Sequence, residues 1–207
     1  MRKTVNLQRS LRYLLAWTPT IALARPASAQ RPVTDAVLQS GTLSFVGHAT
    51  VGEFVGTTTA VHGGIIGGRD YAMTRGWVEA SVRTLATGND RRDRDMRSSM
   101  EVDRYPAMRF DLSGATVISS STGALDSLAV VLHGALTIHG VMRRVDLPAT
   151  AVRGADGTHL SSRFPLDLAD YEIGGLTKMF GLLRMERQIE VRVELQFADV
   201  STLWANP

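Results

Sequence analysis

Strict alternation of apolar and polar residues constrains this chain more than any other feature of its sequence. From Ile189 to Phe197 every odd position is apolar and every even position is polar. Because successive side chains of a β-strand point to opposite faces, the pattern predicts a strand with one buried face and one face in water. The buried face needs other strands to cover it.

The same period of two recurs along most of the sequence after residue 30. In two long segments the apolar residues share one face: Leu128, Val130, Leu132, Leu136 and Ile138 in the first, and Val78, Ala80 and Val82 in the second. Further strands are predicted at 42–48, 52–62, 107–112, 115–120, 141–147 and 159–165. Short connections containing Gly, Pro, Asp or Ser indicate an antiparallel, all-β fold, either a sandwich or a closed barrel.

Two segments break the alternation. Residues 89–100 (NDRRDRDMRSSM) carry three opposite charge pairs at a spacing of four, which predicts one short helix: Asp90 with Arg94, Arg91 with Asp95, and Asp93 with Arg97. Within residues 167–177 we expect a turn, or one helical turn, at 168–171. The glycine-rich stretch 62–68 is predicted to be a hairpin turn or bulge, because no helix start follows it as a phosphate-binding loop would require.

The first 29 residues have the pattern of a cleaved secretory signal. Arg2, Lys3, Arg9 and Arg12 precede an apolar run of 11 residues, Leu14 to Ala24, and Ala27-Ser28-Ala29 follows as a small-x-small cleavage site. The run is too short for a transmembrane helix, which needs about 20 residues. We therefore predict export to the periplasm, a mature domain at 30–207 and no stable membrane insertion.

The net charge of +3 belongs to that leader. Residues 1–29 hold five of the 23 basic residues and no acid, so residues 30–207 carry more acidic than basic groups. This removes the main argument for nucleic-acid binding. The chain has no cysteine, so disulfides, thiol catalysis and cysteine metal sites are excluded.

The spacing of the five histidines does not predict a metal site or a catalytic set. Gly-x-Ser-x-Gly is also absent, so no catalytic residue is assigned. One hypothesis nevertheless remains an enzyme acting on a lipid or small exported substrate, with His48, His62, His133 or His139 as acid or base. Another is an interaction barrel whose interior is filled with side chains.

The hypothesis that the sequence favours over these two alternatives is a binding protein. A barrel of about eight strands can hold one small ligand, and an apolar lining would select an apolar one. We expect this lining to include Phe45, Phe54, Trp77, Phe110, Leu136, Ile138, Phe164 and Phe180.

Four stretches resemble the YceI-like family of exported bacterial lipocalin-like proteins. They are 43–56 (LSFVGHATVGEFVG), 84–111 (TLATGNDRRDRDMRSSMEVDRYPAMRFD), 132–148 (LHGALTIHGVMRRVDLP) and 164–173 (FPLDLADYEI). The second contains Tyr105-Pro106, and the third contains the Gly-x-Leu-Thr-Ile-His-Gly-Val core at 134–141.

The resemblance implies an antiparallel lipocalin-like barrel of about eight strands with one short helix. It also implies an apolar tunnel that holds a polyisoprenoid, such as an isoprenoid quinone, as ligand, with no required cofactor. Oligomeric state stays open. The chain departs from the family at two positions: Leu168 and Glu172 stand where many relatives have Arg and Gly in an Arg-x-Asp-Phe-Gly-Ile stretch. A head-group contact through that Arg is not expected here.

Overall fold

The part of the chain that the structure describes folds into a closed antiparallel barrel with one α-helix beside it. The computed structural model describes residues 33–50, 52–121, 126–174, 177–178 and 183–200. The predicted leader and Phe180 lie outside these residues. In chain order the elements are β1 (Ala36–Ala49), β2 (Gly52–Thr58), β3 (Val61–Ile66), β4 (Arg75–Ser81), α1 (Asp90–Ser99), β5 (Ala107–Ser121), β6 (Asp126–Ile138), β7 (Val141–Gly154), β8 (Gly157–Asp167), β9 (Thr177–Lys178), β10 (Leu183–Arg184) and β11 (Gln188–Asp199), with 3₁₀ turns at Tyr71–Met73 and Leu168–Tyr171.

Pairing between β1 and β11 closes the sheet. Around the barrel the order is β1, β3, β4, β5, β6, β7, β8 and β11, every pair is antiparallel, and β2 also pairs with β1. β2 and β3 share one position in the ring, because Leu43 lies opposite Thr58 and Val37 lies opposite Gly64 in a single continuous register. The barrel therefore has eight strand positions, and the prediction of a barrel with one short helix is confirmed.

The alternation in the sequence sets which side chains point inward. Val191, Leu195 and Phe197 of β11 are buried, with 6%, 4% and 2% of their surface exposed. Glu190 and Arg192, which alternate with these apolar residues along β11, form an ion pair on the outer face. The apolar face of each strand lines the barrel interior, as the period of two requires.

Two predicted breaks in the strands are wrong. β5 runs unbroken from Ala107 to Ser121, and residues 113–114 form a β-bulge instead of a turn. Gly114 has φ +153°, and a Cβ there would lie 2.5 Å from the carbonyl oxygen of Ala72. The glycine-rich stretch is strand β3 up to Ile66, because Gly63 allows the backbone of Trp77 on β4 to approach closely.

Helix α1 begins as predicted, but its charges are used differently. The side chain of Asn89 caps it by accepting a hydrogen bond from Arg92 N at 3.0 Å. Asp93 is 6% exposed and accepts hydrogen bonds from Thr87 N and Oγ1, at 2.9 and 2.6 Å. No ion pair joins Asp93 to Arg97 or Asp90 to Arg94, so these two predicted pairs are wrong; Asp93 instead fixes the loop that precedes the helix.

The turn between β6 and β7 contains His139 and Gly140 of the Gly-x-Leu-Thr-Ile-His-Gly-Val core. His139 and Gly140 both have positive φ, +52° and +76°. A Cβ on Gly140 would lie 2.4 Å from Cε1 of Tyr105, whose ring packs edge-on against His139 at 4.7 Å. The Nδ1–H of His139 donates to the carbonyl of Tyr171 at 3.2 Å. The turn is thus fixed by packing from two other segments.

The predicted turn at 168–171 is confirmed as a 3₁₀ turn, and Glu172 ends it in the left-handed conformation. Its φ of +55° is favourable for glycine and strained for other residues. The backbone at position 172 therefore has a conformation that favours glycine, although the residue there is glutamate.

Glu172→Gly is expected to raise the free energy of unfolding by about 0.5–1 kcal/mol, because it relieves the left-handed strain. Urea unfolding followed by circular dichroism measures the change. Glu172→Ala is the matched control: it also removes the carboxylate but keeps a Cβ, so it should give no gain. Equal stabilisation by both substitutions would contradict the role of backbone strain.

Candidate ligand-binding cavities

Two cavities lie among the described residues of the barrel. The first, of about 390 Å³, lies between α1 and one part of the barrel, where Met96 and Met100 of the helix face Phe45 and Ile138. The second, of about 610 Å³, lies along the rest of the barrel and is lined by residues such as Val61, Leu132 and Leu195. Side chains therefore do not fill the interior, which argues against the filled-core interaction barrel.

The two cavities lie along one path. The inward side chains of β6 follow it in order: Leu128, Val130 and Leu132 line the second cavity, Leu136 lines both, and Ile138 lines the first. These are the residues that the alternation places on one face. Strands of 11 to 15 residues, tilted as in other eight-stranded barrels, make this path about 30 Å long.

Four residues border both cavities and separate them; we call them the waist. They are Leu43 on β1, Met108 on β5, Leu136 on β6 and Phe164 on β8. In the ring of strands β1 lies opposite β6, and β8 lies midway between them. The waist therefore surrounds the path from several sides.

Seven of the eight residues expected to line the interior border one of these cavities. Phe45, Phe54 and Ile138 border the first, Trp77 and Phe110 the second, and Leu136 and Phe164 both; Phe180 lies outside the described residues. Their contact with a ligand stays a prediction.

Trp77 differs from the others in orientation. Its neighbours Val78 and Ala80 pack inward, so strand alternation directs the Trp77 ring to the outer face. There it contacts the ring of His62 at 5.5 Å and the guanidinium of Arg109 at 4.6 Å. A hydrogen bond to Asp111 is the main cause that raises the pKa of Arg109.

Glycines opposite the aromatic residues keep the rings close to the barrel wall. A Cβ on Gly56 would lie 2.2 Å from the Phe45 ring, and one on Gly47 would lie 2.8 Å from the Phe54 ring. In both cases the glycine and the phenylalanine are direct cross-strand partners. Because each ring lies over a glycine, it projects less into the cavity than it would over a larger residue. The sequence reasoning missed these glycines.

The first cavity is bordered by a polar network at α1. Arg92 donates from Nε to Thr87 Oγ1 at 2.8 Å, and Thr87 Oγ1 in turn donates to Asp93. The guanidinium of Arg92 lies 4.3 Å from the centre of the Phe54 ring. The buried carboxylate of Asp93 thus fixes, through Thr87, a cation that covers one aromatic wall of the cavity.

The second cavity also has a polar region. Arg153 contacts Asp199 at 2.6 Å, and the hydroxyl of Thr34 donates to the same carboxylate at 3.0 Å. Ser120, Asp126 and Ser127 border the cavity with them. Both cavities therefore combine an apolar wall with a few polar groups, which is the usual composition of a small-molecule binding site.

The histidines do not reach the interior. Each lies within 3.5 Å of a carboxylate, and none borders either cavity: His48 with Glu53, His62 with Glu79, His133 with Asp146, His139 with Glu101, and His159 with Glu194. The enzyme hypothesis required two histidines, or a histidine and a carboxylate, that converge inside the cavity. The histidine–carboxylate pairs of this structure lie outside both cavities.

One histidine has the hydrogen-bond order of a catalytic triad. Nε2 of His133 lies 2.8 Å from Thr116 Oγ1, and Nδ1 lies 2.7 Å from Asp146 Oδ1. All three are on the outer face of β5, β6 and β7, where the side chains of His133 and Asp146 are 41% and 71% exposed. An open strand face cannot exclude water or position a substrate, so we interpret the contact as a cross-strand hydrogen-bond ladder.

The residues that the structure describes contain no group of histidine and acidic residues arranged to hold a metal ion. No helix within them is long and apolar enough to cross a membrane.

Gly56→Ala is expected to lower the free energy of unfolding by about 1–3 kcal/mol, because its Cβ overlaps the Phe45 ring and pushes it toward the cavity. Thermal and urea unfolding measure the loss. Gly154→Ala is the control, since its Cβ would meet nothing closer than 3.9 Å. Equal stability of the two variants would show that the ring does not depend on Gly56.

Asp93→Ala is expected to cost about 1–3 kcal/mol of stability, because Thr87 N–H and Oγ1–H lose a buried acceptor. Hydrogen exchange should show faster opening of residues 87–93 than in the wild type. Asp90→Ala, at an exposed position in the first turn of the same helix, is the control and should change both quantities much less. Equal losses for the two substitutions would contradict the role assigned to Asp93.

Solved structures similar to this chain share the barrel. A polyisoprenoid-binding domain from Saccharophagus degradans, implicated in plant cell wall breakdown, is 16% identical and superposes with a TM-score of 0.64, covering 81% of this chain and 99% of that domain. BcnA from Burkholderia cenocepacia is 13% identical with a TM-score of 0.61, covering 75% of this chain and 94% of that one. At such identities the similarity establishes the fold.

No curated protein sequence gave a significant match to the chain. The model of the YceI-like domain family, by contrast, matches residues 35–197. This range runs from just before β1 to the end of the alternating segment in β11 and includes α1. Since the match covers well over half of the sequence, the chain belongs to the YceI-like family.

Proposed function

We propose that this protein binds a long apolar lipid, a polyisoprenoid or an isoprenoid-quinone-like amphiphile, inside its barrel. The observation that carries the proposal is the apolar path through the two cavities, which the inward face of β6 follows from Leu128 to Ile138. Burial of each methylene contributes about 0.8 kcal/mol, so affinity comes chiefly from the tail. The polyisoprenoid-binding domain with the same fold supports this choice of ligand class.

The proposed location is the periplasm. Residues 1–29 have the basic, apolar and small-residue regions of a secretory signal, and the mature chain starts at Gln30 in this proposal. An exported protein with an apolar interior would transport, store or sequester a lipid whose tail water does not dissolve. The absence of histidine from both cavity walls favours binding without catalysis.

The full chain expressed in a Gram-negative host is expected to be recovered from the periplasmic fraction as residues 30–207 with one isoprenoid bound. Native mass spectrometry measures the mature mass and the mass of the complex, and lipid extraction identifies the ligand. Lipid-free protein that also takes up no quinone probe would refute the binding proposal. A retained leader in a cytoplasmic product would refute the location alone.

A matched pair of variants tests where the lipid lies. Leu132→Gln places an amide on the wall of the second cavity and should weaken binding about tenfold or more, because the tail then meets a polar group. Met142→Gln makes a similar change at a side chain that is 66% exposed, and should leave binding unchanged. If both variants bind like the wild type, the lipid does not occupy the second cavity.

A further inference from the structure

The waist is a constriction on the path of any long ligand. Leu43, Met108, Leu136 and Phe164 border both cavities, so a molecule that extends from one cavity into the other must pass between them. Each cavity alone, at about 390 and 610 Å³, lies within the range of ordinary small-molecule pockets, about 300–1,000 Å³. A short ligand therefore fits on one side of the waist without crossing it.

The four residues of the waist differ in how firmly they are held. Leu136 and Phe164 are 8% and 9% exposed and belong to the packed core cluster around α1. Leu43 and Met108 point inward but are only partly buried, because they retain surface toward the cavities. Met108 packs against the same cluster from β5, and all four side chains border both cavities. Leu136 and Phe164 are thus the more deeply buried members of the waist.

Met108 is the side chain best suited to move. It is unbranched, with three rotatable bonds and a polarizable sulfur that makes good contacts in several conformations. Leu43 is branched at Cγ and has fewer conformations available. A change of rotamer at Met108 is therefore the simplest rearrangement that opens the waist.

We propose that the waist selects ligands by chain length. This selection rests on the proposed lipid binding. A flexible ligand that is too long for one cavity passes through the waist and occupies both cavities, while Met108 changes its rotamer. A short chain with the same head group occupies one cavity and gains none of the contacts in the other. Met108 and Leu43 are specificity-determining residues for this ligand class.

The test compares two benzoquinone probes with the same ring, one bearing two isoprene units and one bearing eight, on delipidated protein by native mass spectrometry. The wild type should bind the long probe at least about tenfold more tightly, since burying two further methylenes is already worth that much. Met108→Phe should remove this preference by obstructing the waist, so that the ratio of the two affinities, long probe over short probe, falls to about one.

Two other variants complete the design. Leu43→Phe obstructs the waist from β1, an independent strand, and should abolish the long-chain preference in the same way. Met142→Phe adds the same ring at an exposed position and should keep it. Thermal unfolding identifies any variant that fails to fold. Met108→Ala widens the waist, so this variant should bind the long probe at least as tightly as the wild type and release it faster.

The outcomes separate the two proposals. Failure of the wild type to bind either probe overturns the proposed function and the length selection with it. Equal binding of both probes by the wild type overturns the length selection and leaves lipid binding intact. A folded Met108→Phe or Leu43→Phe protein that keeps the full long-chain preference shows that the ligand does not pass the waist.

Discussion

Closure of the sheet by the β1–β11 pair is the constraint on which the rest of the structure depends. It satisfies the backbone hydrogen bonds of both strands and removes the open edges that an eight-stranded sheet would otherwise present. It also turns every inward-facing side chain toward one enclosed volume. In a barrel of this size that volume is large enough either for side chains to fill or for one ligand.

The chain leaves the volume open through its choice of inward residues. Phe45 and Phe54 lie over Gly56 and Gly47, so their rings cover glycine and project less into the path. Where the barrel meets α1, Met96 and Met100 complete the wall, and the Asp93–Thr87–Arg92 network fixes the helix start. Polar residues border the path at α1 and near Arg153, while the wall between them is apolar.

Much of the fold could be predicted because alternation is a local property. The inward faces of β6 and β11, helix α1 and the turn at 168–171 all follow from spacing along the chain. Periodicity cannot show whether a sheet closes, since the strands of a sandwich and of a barrel have the same alternation. The resemblance to YceI-like proteins favoured the barrel. The bulge at Gly114 was missed because it depends on the approach of Ala72, far away in sequence.

The candidate site was only partly predictable for the same reason. Aromatic residues in strands identified much of the lining, but the Trp77 ring lies outside because Val78 and Ala80 take the inward positions of β4. Gly47 and Gly56, over which the two phenylalanine rings lie, were recognisable in principle, since glycine within a strand indicates close approach of another group. Asp93 was assigned to an ion pair because helical spacing gives no information about a loop that folds back on the helix.

The proposed function depends on the binding of one long apolar ligand inside the barrel. A crystal structure of the protein purified from a bacterial periplasm with its native lipid would show whether that ligand is there. We expect continuous elongated density that passes from the second cavity, between Met108 and Leu43, into the first. An interior collapsed onto its own side chains, or one holding ordered water alone, would contradict it.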